Sequence, residues 1–568
     1  MSDGWLRGTL RGGDLAVLAG FAVLAWAYAL GRGAWFHPFL FLDGDAAKLT
    51  SWAVALDHPE LFVGDSSLGD TSDFRYYFTV HLPLLRYLTK FTGHYADSFS
   101  ALLWPHLVVQ LSAFYTLGRV LFRDRFFGVL LALATFPPVT LILWEVWGVL
   151  PDAVPRIGFQ ALLPLVLAVA LSSLDRPGRW PAVLAALGLL MYVHPVSAPA
   201  WALAVWAGLW VCHPTGWGIG RRVAVMFGLG IVFLSVAGPF LWIYLTQHEH
   251  GISAEIPVAK VREIFSALLP PEYFDAGYAF RKFVGLWANP KGLLWVGAGL
   301  GAAGVWRLRP QDRLAVGVVG CWAGAIAFVS FVVPYVEQTI EAALGSAPVD
   351  ILLTRNVRYL VPLALLLCLW GLSSLAGAPG GHPARRPIVR AVAAGLVALW
   401  WTIHFPPALS NLVECAKLGS VACAPAGWPR AAEAVEAVRR ETPEGARIFP
   451  SRFAHSVPIR FHAMRPVIHS RWDPAVLMMG NHRKLLAWYE IHREQQRIRE
   501  LPKPERAAAH LRLAARNGAD FVLLDSLYLP ERFPLEPGAA PGHRLVWRNA
   551  DFALLELDAR QDAEPRAR

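Results

Sequence analysis

Residues 352–376 read LLTRNVRYLVPLALLLCLWGLSSLA. After Arg355 and Arg358 no charge occurs before residue 377. A helix needs roughly 20 apolar residues to cross a hydrocarbon core about 30 Å thick, and this run is long enough. Ten other apolar runs share its character, near 14–31, 99–121, 126–147, 157–174, 181–197, 198–212, 223–246, 292–307, 314–335 and 388–409. The sequence therefore predicts a mainly α protein: a polytopic bundle of about eleven transmembrane helices over residues 1–409. The composition agrees. Only 17% of residues are charged, against about 25% in a soluble domain, and the deficit lies before residue 410. Many of the 24 Trp stand at the ends of apolar runs, where an indole sits half buried at the membrane–water interface. Residues 14–30, DLAVLAGFAVLAWAYAL, follow Arg7 and Arg11 and read as a retained first helix.

The net charge of +10 raises the question of nucleic acid, but its distribution answers it. The arginines fall in short loops between apolar runs: Arg7/Arg11, Arg123/Arg125, Arg176/Arg179, Arg221/Arg222, Arg307/Arg309/Arg313 and Arg385/Arg386/Arg390. These loops alternate with the others, so the positive-inside rule makes them cytoplasmic and no nucleic-acid partner is expected. An odd number of spans then puts the N-terminus in the cytoplasm and the C-terminus outside. Three outer segments are long: 32–98, 247–291 and 410–568. The last is read as an extracytoplasmic α/β domain. GWPRAAEAVEAVRRETPEG (427–445), AVLMMGNHRKLLAWYEIHREQQRIREL (475–501) and PERAAAHLRLAARNGA (504–519) have helical character. ARIFPS (446–451), DFVLLD (520–525), HRLVWRN (543–549) and DFALLELD (551–558) read as strands. No glycine-rich phosphate loop follows any of them. Cys415 and Cys423, in CAKLGSVAC, lie outside by this topology, where an oxidising compartment favours a disulfide between them. Cys212, Cys321 and Cys368 lie in apolar runs and read as packing residues.

The residues able to carry chemistry cluster at the outer ends of the spans. FLDGDAAKLTSW (41–52) places Asp43 and Asp45 just after the first helix. Two carboxylates at this spacing can chelate a divalent metal such as Mg or Mn, with Asp45 a ligand, or divide into base and ligand. They also suit a helix cap at Asp43. Glu145 in WEVW, Asp152 and Arg156 in GVLPDAVPRIGFQ, His194 in MYVHPVS, and Arg355 and Arg358 in LLTRNVRYL share that face. An ionisable group beside the hydrocarbon is costly and is a functional candidate by default. For the arginines the competing reading is headgroup snorkelling, and for His194 it is a helix-end hydrogen bond before Pro195. Acids at one place and arginines at another suit a substrate with a phosphate and a leaving group. No GxSxG, HExxH, Walker A or CxxC motif occurs, so soluble-type hydrolase, protease and ATPase readings find no support.

With these residues the chain resembles the GT-C superfamily of membrane glycosyltransferases. The resemblance rests on Asp43-Gly-Asp45, on the loop DHPELFVGDSSLGDTSDFRYYFTVHLPLLRYL (57–88), on Asp152-Ala-Val-Pro155-Arg156, on His194-Pro195, and on a helical core followed by an outer α/β domain. It implies a bacterial inner-membrane enzyme that transfers a sugar from a polyprenyl-phosphate donor to a cell-envelope glycan or lipid acceptor at the extracytoplasmic face. By the same resemblance Asp43 would be the base, with Asp45 assisting or holding a metal. Arg156, Arg355 and Arg358 would hold the carrier phosphate, where guanidinium forks suit bidentate contacts. No WWD-type acceptor motif of the kind in oligosaccharyltransferases is present. Two other classes stay open: a non-catalytic membrane scaffold whose outer domain binds a partner, and a transporter of lipid-linked substrates. The apolar mid-helix stretches LPLVLAVAL and VPLALLLCLWGL speak against the transporter.

Overall fold

The computed structural model describes residues 12–34, 42, 44–142, 145–211, 216–251, 256–289, 292–345, 352–378, 384–420, 422–425, 427–451, 453–529 and 542–558. These are mainly helical and divide into two compact units. One lies within 1–32, 101–242 and 269–411, the other within 33–100, 243–268 and 412–568.

Six helices among the described residues are long and apolar enough to cross a membrane: Gly12–Gly33, Pro155–Ser172, Ile219–Thr246, Pro310–Leu344, Leu353–Ala376 and Arg385–Ile403. Their burial differs widely. Leu353–Ala376 is 78% buried, whereas Arg385–Ile403 is 11% buried. On Ile219–Thr246 the side chains of Val223, Phe227, Ile231, Leu234 and Trp242 all stand exposed. A helix apolar on every side that leaves that surface uncovered has the pattern of a helix in lipid, where no hydrophobic penalty applies.

The other five expected spans are built differently. The run 99–121 lies within the 28-residue helix Tyr95–Phe122, which carries Pro105 in its interior. The runs 181–197, 198–212 and 292–307 give helices of 11, 14 and 17 residues, at Trp180–Leu190, Ala198–Val211 and Gly292–Leu308. The run 126–147 is not one helix. Helix Arg125–Thr135 stops before Pro137-Pro138, which lack amide donors and cannot continue it. The chain then turns back in a hairpin of β1 (Val139–Thr140) and β2 (Val146–Trp147).

Within this unit Gly292–Leu308 and Leu360–Ala376 cross with backbones touching. A Cβ on Gly371 would lie 2.4 Å from the Cα of Gly301, and one on Gly301 only 2.2 Å from the carbonyl oxygen of Leu367. Small residues let helix backbones approach where no hydrophobic force drives them together, and Gly297 and Gly301 stand four apart on that contact.

The second unit contains a four-stranded mixed sheet in the order β3-β4-β6-β5. Strand β3 (Ile448–Pro450) runs parallel to β4 (Phe521–Asp525); β6 (Phe552–Leu557) is antiparallel to both β4 and the edge strand β5 (His543–Arg548). Alternate side chains enter two cores. Phe521, Leu523, Phe552 and Leu554 meet helix Trp428–Glu441 through Ala434, Val435 and Val438. Val522, Leu524, Ala553 and Leu555 meet Lys503–Arg516 through Leu511 and Ala514. Coverage on both faces explains why β4 is buried at every position. The expected helix over 475–501 is two, Pro474–Gly480 and His482–Glu500, broken at Asn481, whose side chain accepts from the Lys484 amide as a cap. Cys415 and Cys423 are disulfide-bonded. Cys321 and Cys368 are free thiols, and Cys212 lies outside the described residues.

The long first loop belongs to this same unit, and a buried ionic network ties it there. Arg460 donates to Asp65 through Nε (2.9 Å) and Nη2 (2.6 Å), and to Asp473 through Nη1 (2.6 Å). Asp65 also accepts from the amides of Val467, Ser67 and Leu68. Asp473 accepts from the Ser66 and Ser67 hydroxyls and the Ser470 amide. Burial raises the Asp65 carboxyl above its ordinary value, Arg460 opposes this, and the Asp473 charge adds to it. Gly480 makes a second seam, since a Cβ there would lie 1.9 Å from the Asp73 carbonyl oxygen.

Candidate functional site

Four of the charged residues singled out in the sequence meet in the helical unit, around Glu145. The hairpin brings Glu145 there. Its turn closes by Leu141 N–H to the Glu145 carbonyl (3.1 Å) and Glu145 N–H to the Ile142 carbonyl (2.8 Å). Gly148 follows at φ +97, where a Cβ would lie 2.1 Å from the Pro137 carbonyl oxygen, so the hairpin needs glycine at that position. Trp147 is fully buried and donates its indole N–H to the Thr135 carbonyl (3.0 Å), pinning the hairpin to the helix it left. The Glu145 side chain is 2% exposed.

Three arginines surround this carboxylate. Arg156 is the second residue of helix Pro155–Ser172 and sets Nη1 3.8 Å from Oε2. Arg355 and Arg358 lie on a 3-10 helix, Leu353–Tyr359, where residues three apart eclipse, so both guanidiniums leave one edge. Arg358 Nη1 donates to Glu145 Oε2 (2.9 Å), and Arg355 Nε stands 3.4 Å from Oε1. Tyr273 donates its hydroxyl to Oε1 (2.8 Å), and the Arg355 guanidinium lies over the Tyr273 ring at 4.9 Å. The 3-10 helix is held at its other side, by Asn356 Nδ2 to the Val196 carbonyl (3.3 Å) and the Tyr359 hydroxyl to Ser197 Oγ (2.8 Å). It begins at Leu352 with φ +51, a left-handed conformation that side chains rarely adopt.

Among the described residues three guanidiniums share this one carboxylate. Arg358 is the most enclosed of them, 1% exposed, and its Nε and Nη2 find no hydrogen-bond partner among the described residues. A buried charge with unmet donors is costly. An anion with several acceptor oxygens, such as a phosphate, would satisfy those donors.

Three of the remaining sequence candidates have other contacts among the described residues. Asp152 pairs with Arg32 at the end of the first helix, Nη2 to Oδ1 2.9 Å, with both side chains buried. His194 sits in the turn between Trp180–Leu190 and Ala198–Val211, its ring 6.0 Å from that of Phe159. Asp45 belongs to the second unit, in the first turn of helix Gly44–Asp57, exposed and paired with Lys48 Nζ at 3.0 Å. Asp43 lies outside the described residues. Mg and Mn sites take six oxygens; the described residues show Asp45 paired with Lys48, and no group of three His, Cys, Asp or Glu that could hold a metal forms among them.

The chain matches no protein-family model and no curated protein sequence.

Sequence reasoning missed Tyr273, which stands in the outer segment 247–291 within PPEYFDAG and carries no motif. It also missed Asp65, Arg460 and Asp473, which stand in no recognised motif. Asp65 lies in the GDSS of the first loop, and that is the one trace it leaves in the sequence.

Proposed function

We propose that this protein is a membrane glycosyltransferase that uses a polyprenyl-phosphate sugar donor, and that Arg156, Arg355 and Arg358 hold the donor's phosphate. The observation that carries this reading is Arg358: a buried guanidinium whose Nε and Nη2 meet no acceptor among the described residues, beside two further arginines and among apolar helices. A soluble phosphate compound has no need of apolar surroundings, whereas a polyprenyl carrier keeps its chain in hydrocarbon while its phosphate meets the guanidiniums.

In the transfer, the acceptor hydroxyl oxygen attacks the anomeric carbon as the bond from that carbon to the phosphate oxygen breaks. The departing lipid phosphate gains negative charge, and the arginines stabilise it more in the transition state than in the ground state. Glu145 and Tyr273 hold the guanidiniums in register without touching the reacting bond. By the GT-C resemblance the Asp43 carboxylate takes the acceptor proton. The acceptor is a cell-envelope glycan or lipid, reached from the extracytoplasmic face of a bacterial inner membrane.

The test uses the full chain in proteoliposomes with a short-chain polyprenyl-phosphate sugar. Arg358→Gln should weaken binding of the sugar-free polyprenyl phosphate at least tenfold and abolish transfer. Asp43→Asn should abolish transfer with binding kept. Wild-type binding by Arg358→Gln, with the variant folded, rejects the phosphate site. Retained turnover by Asp43→Asn rejects Asp43 as base and shifts weight to a scaffold role.

A further inference from the structure

A second cationic site lies in the helical unit, at the end carrying the loop arginines. It is an open cleft of about 510 Å³ between the start of helix Arg125–Thr135 and the start of helix Arg385–Ile403. Arg123, Arg125, Arg386 and Arg390 line it together with Asp124, a lining charge of 4 − 1 = +3. We propose that this cleft binds the phosphate-bearing headgroup of an anionic membrane lipid.

The carboxylates in reach leave much of the cationic surface unspent. Arg386 and Arg390 both donate to the same oxygen of Asp124, at 3.3 and 2.7 Å. Asp124 also caps its helix by accepting from the Phe126 amide. Arg123 pairs with Asp312 and Arg125 with Asp14, each at 3.0 Å. Arg386 and Arg123 still keep 61% and 51% of their side chains exposed, and Arg390 Nε is buried with no acceptor among the described residues. Arg123 holds φ +56. A non-glycine residue there is uncommon, and such backbone strain gathers at ligand clamps. The positive end of the Arg125–Thr135 dipole points the same way.

Position selects a lipid over a soluble phosphate. Val17, Phe126 and Val129 complete the lining, so the cleft has an apolar wall beside its arginines. Helix Arg385–Ile403 is 19 residues long and 11% buried. At 1.5 Å per residue it spans about 28 Å, close to the hydrocarbon thickness. Arg386 and Arg390 occupy one end of it. Trp400 and Trp401 occupy the other, donating to the Ala134 and Leu133 carbonyls. The cleft therefore stands at headgroup depth beside a helix whose face is open to acyl chains. Basic pockets between spans at an Arg-rich membrane face are suited to anionic headgroups.

The experiment titrates the detergent-solubilised full chain with phosphatidylglycerol, with phosphatidylcholine of the same chains, and with glycerol phosphate, reading the thermal midpoint. Phosphatidylglycerol alone should raise it. The double variant Arg386→Gln/Arg390→Gln should need at least tenfold more lipid for half the effect. Asp124→Asn keeps a capping side chain and removes the competing charge, so it should need several-fold less. If the double variant does not fold, Asp124→Asn decides alone. Equal response to both lipids, wild-type titration by the double variant, or no gain from Asp124→Asn overturns the proposal. A response to glycerol phosphate equal to that of the lipid overturns the lipid assignment. None of these outcomes depends on the transferase reading.

Discussion

Replacing Arg460 should damage the second unit more than replacing either of its acidic partners. The network holds one guanidinium between two carboxylates, all with side chains no more than 3% exposed. Asp65→Asn removes one charge and weakens two arginine bonds and three amide contacts, but Arg460 keeps Asp473 at 2.6 Å and the surplus negative charge disappears. Its cost is that of charge-assisted hydrogen bonds, about 1.5–3 kcal/mol. Arg460→Met leaves two buried carboxylates with no counter-charge, the situation that costs about 3–5 kcal/mol. The natural assay is hydrogen exchange on the full chain in detergent, following peptides over Ile448–Pro450 and Phe521–Asp525. Arg460→Met should speed exchange there by a hundredfold or more, and Asp65→Asn by about 20-fold less than that, at 1.36 kcal/mol per decade. The pH response supplies an internal check. A buried carboxyl with its folded pKa raised binds its proton more tightly in the native state, so the Arg460→Met lesion should shrink as pH falls. Wild-type exchange rates in Arg460→Met, or a larger effect from Asp65→Asn, would refute this account of the network.

Three other outcomes are expected. Gly301→Val should lower the thermal midpoint of the detergent-solubilised protein, because its Cβ would overlap the Leu367 carbonyl; overpacking of this kind costs about 1–3 kcal/mol, and an unchanged midpoint would show that the helix crossing adapts. His510 is fully buried, and burial pushes it down to about 3, so the unfolded chain binds the proton that the folded one refuses. The second unit should thus lose about 1.6 kcal/mol from this residue as pH falls from 6.5 to 5, with buried His469 acting in the same direction; His510→Leu should flatten the exchange-versus-pH slope, and an unchanged slope would refute this. Reducing the Cys415–Cys423 bond, which joins residues 8 apart, should cost no more than about 2–3 kcal/mol by loop entropy; exchange confined to residues near 415–423 would agree, and global unfolding would not.

Much of the secondary structure was legible because it is written locally. The strands β3 to β6 and the helices against them follow from two- and 3.6-residue periods, which the backbone itself sets. The misread places have local causes that compete with hydropathy. The run 126–147 is apolar enough for a span, yet Pro137-Pro138 ends the helix, and a hairpin of equal hydrophobicity follows. Over 475–501 Asn481 caps a new helix inside what reads as one. The tight 3-10 turn that aligns Arg355 with Arg358 leaves no mark in composition.

By itself the sequence determined that this chain is mainly helical, that several helices are long and apolar enough for a bilayer, and that its last 150 or so residues contain an α/β unit. Hydropathy and periodicity act over ten to twenty neighbouring residues, so they survive without knowledge of the fold. Tertiary structure alone decided which charges meet. Glu145 gathers Arg358 from 213 residues away and Tyr273 from 128. Asp65 finds Arg460 across 395. It also decided that Asp152 pairs with Arg32 while Arg156, four residues on, faces Glu145. A lone charge in a sequence has no period and no preferred neighbour. Its partner is chosen by the low-dielectric interior, where only pairs brought together by the packed fold escape the cost of burial.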